Sequence, residues 1–257
     1  MRNAEWINLI YFSVFVVLGF ILPKISWSKR VRAFAIGLSG IAIVWATSKI
    51  ETKAIRDWAP APLMLFAYWQ AGSLFDSPNE KLQKLLIDFD QKLLARVSFS
   101  NSILISYLEF SYLLCYPLVP LGLALLYYGN LAHYSDSYWT TILIPTYFCH
   151  AMVPFTQTYP PWKIEQQSIG RDRNLIRVFN FWIIKYASIH ANTLPSAHVT
   201  ASMAAAFVLL KFLPLSGSIF LLIAFSICVA AVVGRYHYAL DVILAAILVI
   251  VVFAFLT

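Results

Sequence analysis

The sequence predicts an all-α fold: a polytopic transmembrane helix bundle of seven or eight spans with one interfacial amphipathic helix. Three observations carry that prediction. Hydrophobic residues make up 60% of the 257-residue chain and charged residues only 12%, about half the charge of an ordinary soluble domain. The apolar residues gather into runs, most of them long enough for a hydrocarbon core, which takes roughly 17–25 helical residues. Trp6, Trp27, Trp58, Trp139, Trp162 and Trp182 lie near the ends of these runs, where interfacial aromatic belts form.

Taken along the chain, the spans fall at 7–22, 31–48, 103–128, 138–155, 197–213, 216–233 and 238–256. The first lacks a weighty basic segment and a small-residue cleavage site, so it reads as a retained helix. An eighth segment, 58–75, is interrupted by Pro60, Pro62 and Gln70 and reads either as a span or as a re-entrant piece buried against protein. Between it and 103, residues 78–99 change character. Leu82, Leu85, Leu86, Phe89, Leu93, Leu94 and Val97 follow a 3.6-residue period, with Glu80, Lys81, Lys84, Asp88, Gln91 and Lys92 mainly on the other face. Such a helix lies in the membrane interface or packs on the protein's own loops. The longest polar stretch, 156–194, begins Tyr159-Pro160-Pro161-Trp162-Lys163 and is too long for a mere connector. No repeat or low-complexity tract divides the chain, so residues 1–257 read as one integral membrane domain.

The net charge of +7 comes without a basic strip or stacking motif, which excludes nucleic acid as the expected partner. Anionic membrane lipid or a phosphorylated substrate suits it better. Cys115, Cys149 and Cys228 all fall in apolar segments and read as small hydrophobes.

Chemistry concentrates in two short runs, Pro195-Ser196-Ala197-His198 and Arg235-Tyr236-His237-Tyr238-Ala239-Leu240-Asp241. Ionisable residues at the edge of membrane segments are costly and are functional candidates by default. By parity, the polar stretch, His198 and His237 all lie on one side of the membrane, whatever the number of spans before them. His237 and Asp241 stand four apart on one helical face, within hydrogen-bonding reach. A carboxylate on one imidazole nitrogen fixes the tautomer and makes the other a better nucleophile or base. Pro195 and Ser196 open the preceding span, where free N–H groups favour an anion and the Ser196 hydroxyl adds a donor. Arg235, Lys163 and Arg171, with Arg173, are candidates to neutralise phosphoryl oxygens. His133, His150 and His190 stand apart from these runs. The histidines lack ligand spacing to a carboxylate set, so no metal is expected.

These motifs resemble those of the type-2 phosphatidic acid phosphatase (PAP2) superfamily of membrane lipid phosphatases and phosphotransferases, over a catalytic core of residues 138–256. Pro195 to His198 is similar to the family's Pro-Ser-x-His motif, and His237 with Asp241 to its His-x-x-x-Asp motif. The run after Arg235 and the Pro-Pro-Trp run resemble the branch of sphingomyelin and inositol-phosphorylceramide synthases and bacterial relatives. The family's first motif is not met, since Gly170 stands where an Arg should follow Lys163. Ala231 likewise occupies the place of the usual Arg six residues before His237.

The resemblance implies a lipid phosphatase that hydrolyses a phosphomonoester or pyrophosphate through a phosphohistidine on His237. Asp241 orients that histidine, His198 is the proton donor, and no cofactor or metal takes part. The alternatives are a lipid head-group phosphotransferase using the same intermediate, and a non-catalytic lipid transporter or binding protein. Most of the Lys and Arg lie on the side of the polar stretch, which the positive-inside rule assigns to the cytoplasm. The resemblance points to the outer or lumenal side, so the side of the active site stays open.

Overall fold

The computed structural model describes residues 1–94, 101–165 and 174–256. Every regular element among them is helical, as expected. An N-terminal hairpin of α1 (Asn3–Ile21) and α2 (Trp27–Ser48) is followed by the short α3 (Lys53–Trp58), α4 (Pro60–Ser73) and α5 (Glu80–Leu94). Next come α6 (Ser102–Leu113) and α7 (Leu118–Tyr128), bent 67° at the break between them. A 3-10 turn at Ala132–Tyr134 leads into α8 (Ser135–Thr156), then α9 (Pro161–Ile164), α10 (Leu175–Ala187), α11 (Ala197–Phe212), α12 (Pro214–Val233) and α13 (Ala239–Leu256).

By length and apolarity four helices, α1, α2, α12 and α13, can cross a membrane, or five spans if the bent α6–α7 pair counts as one. The chain is therefore an integral membrane protein, with fewer such helices than the seven or eight spans expected. The difference lies in α4, α8 and α11. At 14 and 16 residues, α4 and α11 reach only about 21 and 24 Å. α8 has the length but faces inward, with 14 of its 22 residues buried, Thr141, Thr146 and His150 among them.

Two clusters of polar contacts mark the ends of the bundle. At one end Asp136 accepts the N–H groups of Asn3 and Ala4 and so caps α1. Arg2 pairs there with Asp57, and Arg56 bonds both oxygens of Glu5 at 2.8 and 3.0 Å. Tyr127, at the close of α7, donates to Asp57 at 2.6 Å. At the other end Lys29 pairs with Asp76 (3.0 Å), and the Asp76 N–H donates to Gln157 Oε1 (3.0 Å). Since α4 begins beside Asp57 and ends beside Asp76, the doubtful segment 58–75 runs through the bundle from end to end.

α11 is the centre of the C-terminal half. Eleven of its 16 residues are buried, and it packs on α7, α8, α12 and α13. Ala201, Ala204, Ala205 and Ala206 let these neighbours approach closely without leaving polar atoms exposed to lipid. Its turn into α12 depends on Gly217, where a Cβ would lie 2.6 Å from the Leu209 carbonyl carbon and closer still to the Leu210 backbone.

Two expectations need adjusting. The amphipathic helix is present as α5, with the end of the expected 78–99 segment outside the described residues. It both packs and faces outward: Gln83, Leu86 and Asp90 are buried, and the helix packs against α13, while Leu85, Phe89 and Leu93 are exposed. The polar stretch 156–194 contains a second amphipathic helix that the composition hid. α10 buries Asn180, Phe181 and Ile184 against α6 and exposes Phe179, Trp182 and Tyr186.

Because backbone cannot yield at the α11–α12 turn, Gly217→Ala should destabilise the protein by about 1–3 kcal/mol. Thermal unfolding in detergent would read this as a lowered midpoint, and an unchanged midpoint would mean that the turn can open.

Candidate active site

The last helix begins at Ala239, just after a sharp reversal at Gly234–Tyr238 in which Arg235 takes a left-handed φ of 62°. That reversal turns His237 back over the helix start. Its Nδ1 lies 3.3 Å from Asp241 Oδ2 and 3.1 Å from Asn192 Oδ1. Oδ2 also accepts the Tyr238 N–H at 2.9 Å, as an acidic residue in a first helical turn can. Asp241 is fully buried and His237 is 5% exposed. With Nδ1 held by two oxygens, it carries the proton and Nε2 keeps its lone pair.

The two sequence motifs meet through the backbone. Asp241 O accepts the Ser196 N–H at 3.0 Å, which sets the start of α11 against the start of α13. His198 is thereby placed with its ring centroid 5.8 Å from that of His237. The edges of Tyr112 and Tyr116 pack on it, with centroids at 5.9 and 5.5 Å. Both histidines open into one chamber of about 660 Å³ bounded by α4, the α6–α7 bend, α8, α10 and the start of α11. That volume lies in the range of sites for whole small ligands. Its wall is mostly apolar.

The structure brings His237, Asp241 and His198 together, and it adds beside them Asn192, which the sequence reading did not single out. Asn192 is 1% exposed and is itself fixed: its N–H donates to Thr158 O at 2.8 Å and its Nδ2 to Thr158 Oγ1 at 3.3 Å. A lone Asn in a polar stretch carries no sequence signal of such a role.

The expected phosphate ligands separate. Ser196 is fully buried and caps α11, its Oγ accepting the Val199 N–H at 3.5 Å, while Thr193 Oγ1 accepts the Ala197 N–H at 3.2 Å. The first N–H groups of α11 are thus partly taken by the protein's own side chains. Lys163 stands next to Trp162, which lines the chamber, with Nζ 3.3 Å from His190 O and 3.7 Å above the Tyr159 ring. Burial pushes its pKa down; His190 is lowered too, by burial first and then by the Lys163 charge. Arg235 does not line the chamber. It bonds Asp90 Oδ2 at 2.6 Å and Glu165 Oε1 at 2.5 Å. Burial works against its charge, but the two carboxylates outweigh that and hold its pKa above the ordinary value. Arg171 and Arg173 lie outside the described residues.

A polar shell supports the pair of helix starts. Asp90 Oδ1 accepts the Ala239 N–H at 2.8 Å, so α5 caps α13 while pairing with Arg235. Gln83 Nε2 donates to Tyr238 OH at 2.6 Å, and its Oε1 accepts the Tyr159 N–H at 2.7 Å. Tyr236 stacks on Tyr112 at 3.7 Å and donates to the buried Glu109, which also holds Arg177 and Asn180. Burial, then the Glu109 carboxylate, raises the Tyr236 pKa, so it stays a neutral donor. Among the described residues no group of three or more His, Cys, Asp or Glu is placed to hold a metal ion.

The family model described as the PAP2 superfamily matches residues 137–257. No curated protein and no solved structure matches the chain.

Removing the Asp90 carboxylate strands the Ala239 N–H and leaves Arg235 with less compensation. Asp90→Ala should therefore cost about 2 kcal/mol, read as a lower unfolding midpoint in detergent. Stability equal to the parent would show that Glu165 alone suffices.

Proposed function

Since residues 137–257 belong to the PAP2 superfamily, whose members are phosphatase- and phosphotransferase-type lipid enzymes, we propose that this chain is a membrane lipid phosphatase acting through a phosphohistidine. The observation that carries the reading is the holding of His237 Nδ1 by Asp241 and Asn192, which leaves Nε2 for a reaction beside His198 in one chamber.

In the first step, His237 Nε2 attacks phosphorus and the bond to the lipid oxygen breaks. His198 gives its proton to that oxygen, and the lipid alcohol leaves. Asp241 stabilises the positive charge that the imidazole gains, and its hydrogen bond keeps the ring in line. In the second step, His198, now neutral, takes a proton from water as the water oxygen attacks phosphorus. Inorganic phosphate leaves, His237 is restored and His198 is again protonated. A lipid hydroxyl in place of water would convert the same cycle into head-group transfer. Phosphoryl transfer needs positioning and charge neutralisation more than covalent invention. Neither Lys163 nor Arg235 lines the chamber; Lys163, next in sequence to the lining residue Trp162, is our candidate for neutralisation among the described residues, because Arg235 is occupied by its two carboxylates.

The test is phosphate release by purified protein from a panel of phosphatidic acid, a sphingoid phosphate, a lysophosphatidyl phosphate and a polyprenyl diphosphate. His237→Ala should remove release by at least about a thousandfold while leaving the protein folded. Activity retained in that variant would overturn the nucleophile assignment.

The depressed Lys163 pKa gives a second expectation. As pH rises, a buried ammonium loses its proton earlier than an exposed one, so its contribution disappears on the alkaline side first. Lys163→Arg keeps the charge at any accessible pH. The alkaline limb of kcat/KM should therefore move to higher pH, and an unmoved limb would remove Lys163 from phosphate binding.

A further inference from the structure

Two hydrogen-bonding groups in the chamber take no part in the chemistry above. Thr146 Oγ1 and His150 Nδ1 are buried without a hydrogen-bond partner, and their residues are 1% and 4% exposed. Both residues line the chamber that holds His198 and His237. They stand four apart on α8, so they share one face of that helix. Much of the rest of the lining is apolar, with Met64, Leu65, Cys115 and Val119 among it.

The neighbouring tyrosines do not satisfy them either. The His150 ring lies 5.5 Å from that of Tyr68 and 6.0 Å from that of Tyr147, centroid to centroid. Tyr147 gives its hydroxyl proton to Asn8 Oδ1 at 2.5 Å. Tyr68 OH accepts the Ile189 N–H at 3.1 Å and lies 3.3 Å from Ser188 Oγ. Both rings therefore position the imidazole while their hydroxyls are engaged elsewhere. Buried polar groups in native proteins are nearly always satisfied, by protein, water or ligand. Here two of them share one helix face in the same cavity as the reacting histidines.

We propose that Thr146 and His150 form a subsite for a hydrogen-bonding group in the lipid backbone next to the phosphate: a hydroxyl, an ester carbonyl or an amide. The proposal rests on the lipid phosphatase reading and narrows its substrate to glycerol- or sphingoid-type lipid phosphates. A hydroxyl and a neutral imidazole each donate and accept, so the pair can meet any of these groups. A polyprenyl chain carries only carbon and hydrogen beyond its phosphate. It would displace water from both side chains and give nothing back. A site built to hydrogen-bond its ligand discriminates strongly against an analogue lacking the group.

The experiment measures binding without turnover, in His237→Ala protein reconstituted in nanodiscs. The probes are a short-chain phosphatidic acid, a sphingoid-base phosphate and an isoprenyl monophosphate of similar length. At least one of the first two should bind tenfold or more tightly than the isoprenyl compound. Adding the near-isosteric Thr146→Val or His150→Phe should remove most of that margin and leave isoprenyl binding unchanged. Equal binding of all three probes, binding of none, or a margin that survives both substitutions would overturn the subsite. Thr146→Val changes one atom's chemistry at nearly constant volume, so it decides the matter even if His150→Phe folds poorly. Because binding is read separately, a wild-type protein that releases no phosphate would count against the phosphatase reading and leave this result standing.

Discussion

The Asp241 residue holds together the end of the molecule where α11 and α13 begin. Its side chain fixes the His237 ring and the Tyr238 N–H, and its main-chain carbonyl takes the Ser196 N–H. One residue therefore joins two motifs some forty positions apart and defines how two helix starts face each other. A fully buried carboxylate is expensive, and its other oxygen has no hydrogen-bond partner. The fold accepts that cost because the carboxylate sits in the first turn of α13 and bonds an imidazole and a backbone N–H. Without Asp241 in this place, His237 would keep only Asn192 on Nδ1, and the start of α11 would lose its bond to the start of α13.

Around this point the protein uses charge pairs as braces. Asp90 and Glu165 hold Arg235 in its left-handed turn, and Asp90 also caps α13. Glu109 gathers Arg177, Asn180 and Tyr236 on the other side of the chamber. In water such pairs contribute little. Partly buried beside a membrane they are screened less, and losing one partner is more costly than the pair is worth. His198 and His237 are thus surrounded by side chains whose main effect is to keep them still.

Much of this was legible in the sequence because membrane segments impose parity. His198 and His237 were expected on one side because two apolar runs lie between them. α11 falls short of a span, yet its hairpin with α12 returns the chain to the same end, and the i, i+4 spacing of His237 and Asp241 puts them on one face. What escaped were features that depend on neighbours. Arg235 looked like a phosphate ligand because of its place beside His237, yet its direction is set by carboxylates seventy and more residues away in the chain. Asn192 and Thr158 are ordinary polar residues until the fold stacks them under an imidazole. His150 stands apart from the sequence motifs, and only the fold places it in the same cavity as His198 and His237. α10 was hidden because its thirteen largely apolar residues were read together with the polar residues around them, although their spacing is helical. α4 read as doubtful for its prolines, but Pro60 stands at the first helical position, where a missing N–H costs nothing.

α5 has two opposite commitments. Gln83, Leu86 and Asp90 grip the start of α13, while Leu85, Phe89 and Leu93 face outward as an apolar stripe at four-residue spacing. An outward stripe of that kind comes to rest at the boundary between lipid tails and water. Asp90, on the inward seam of the same rigid rod, is bonded to the first amide of α13. One rod therefore ties an exposed apolar stripe to the helix start beside His237, so whatever displaces α5 moves both.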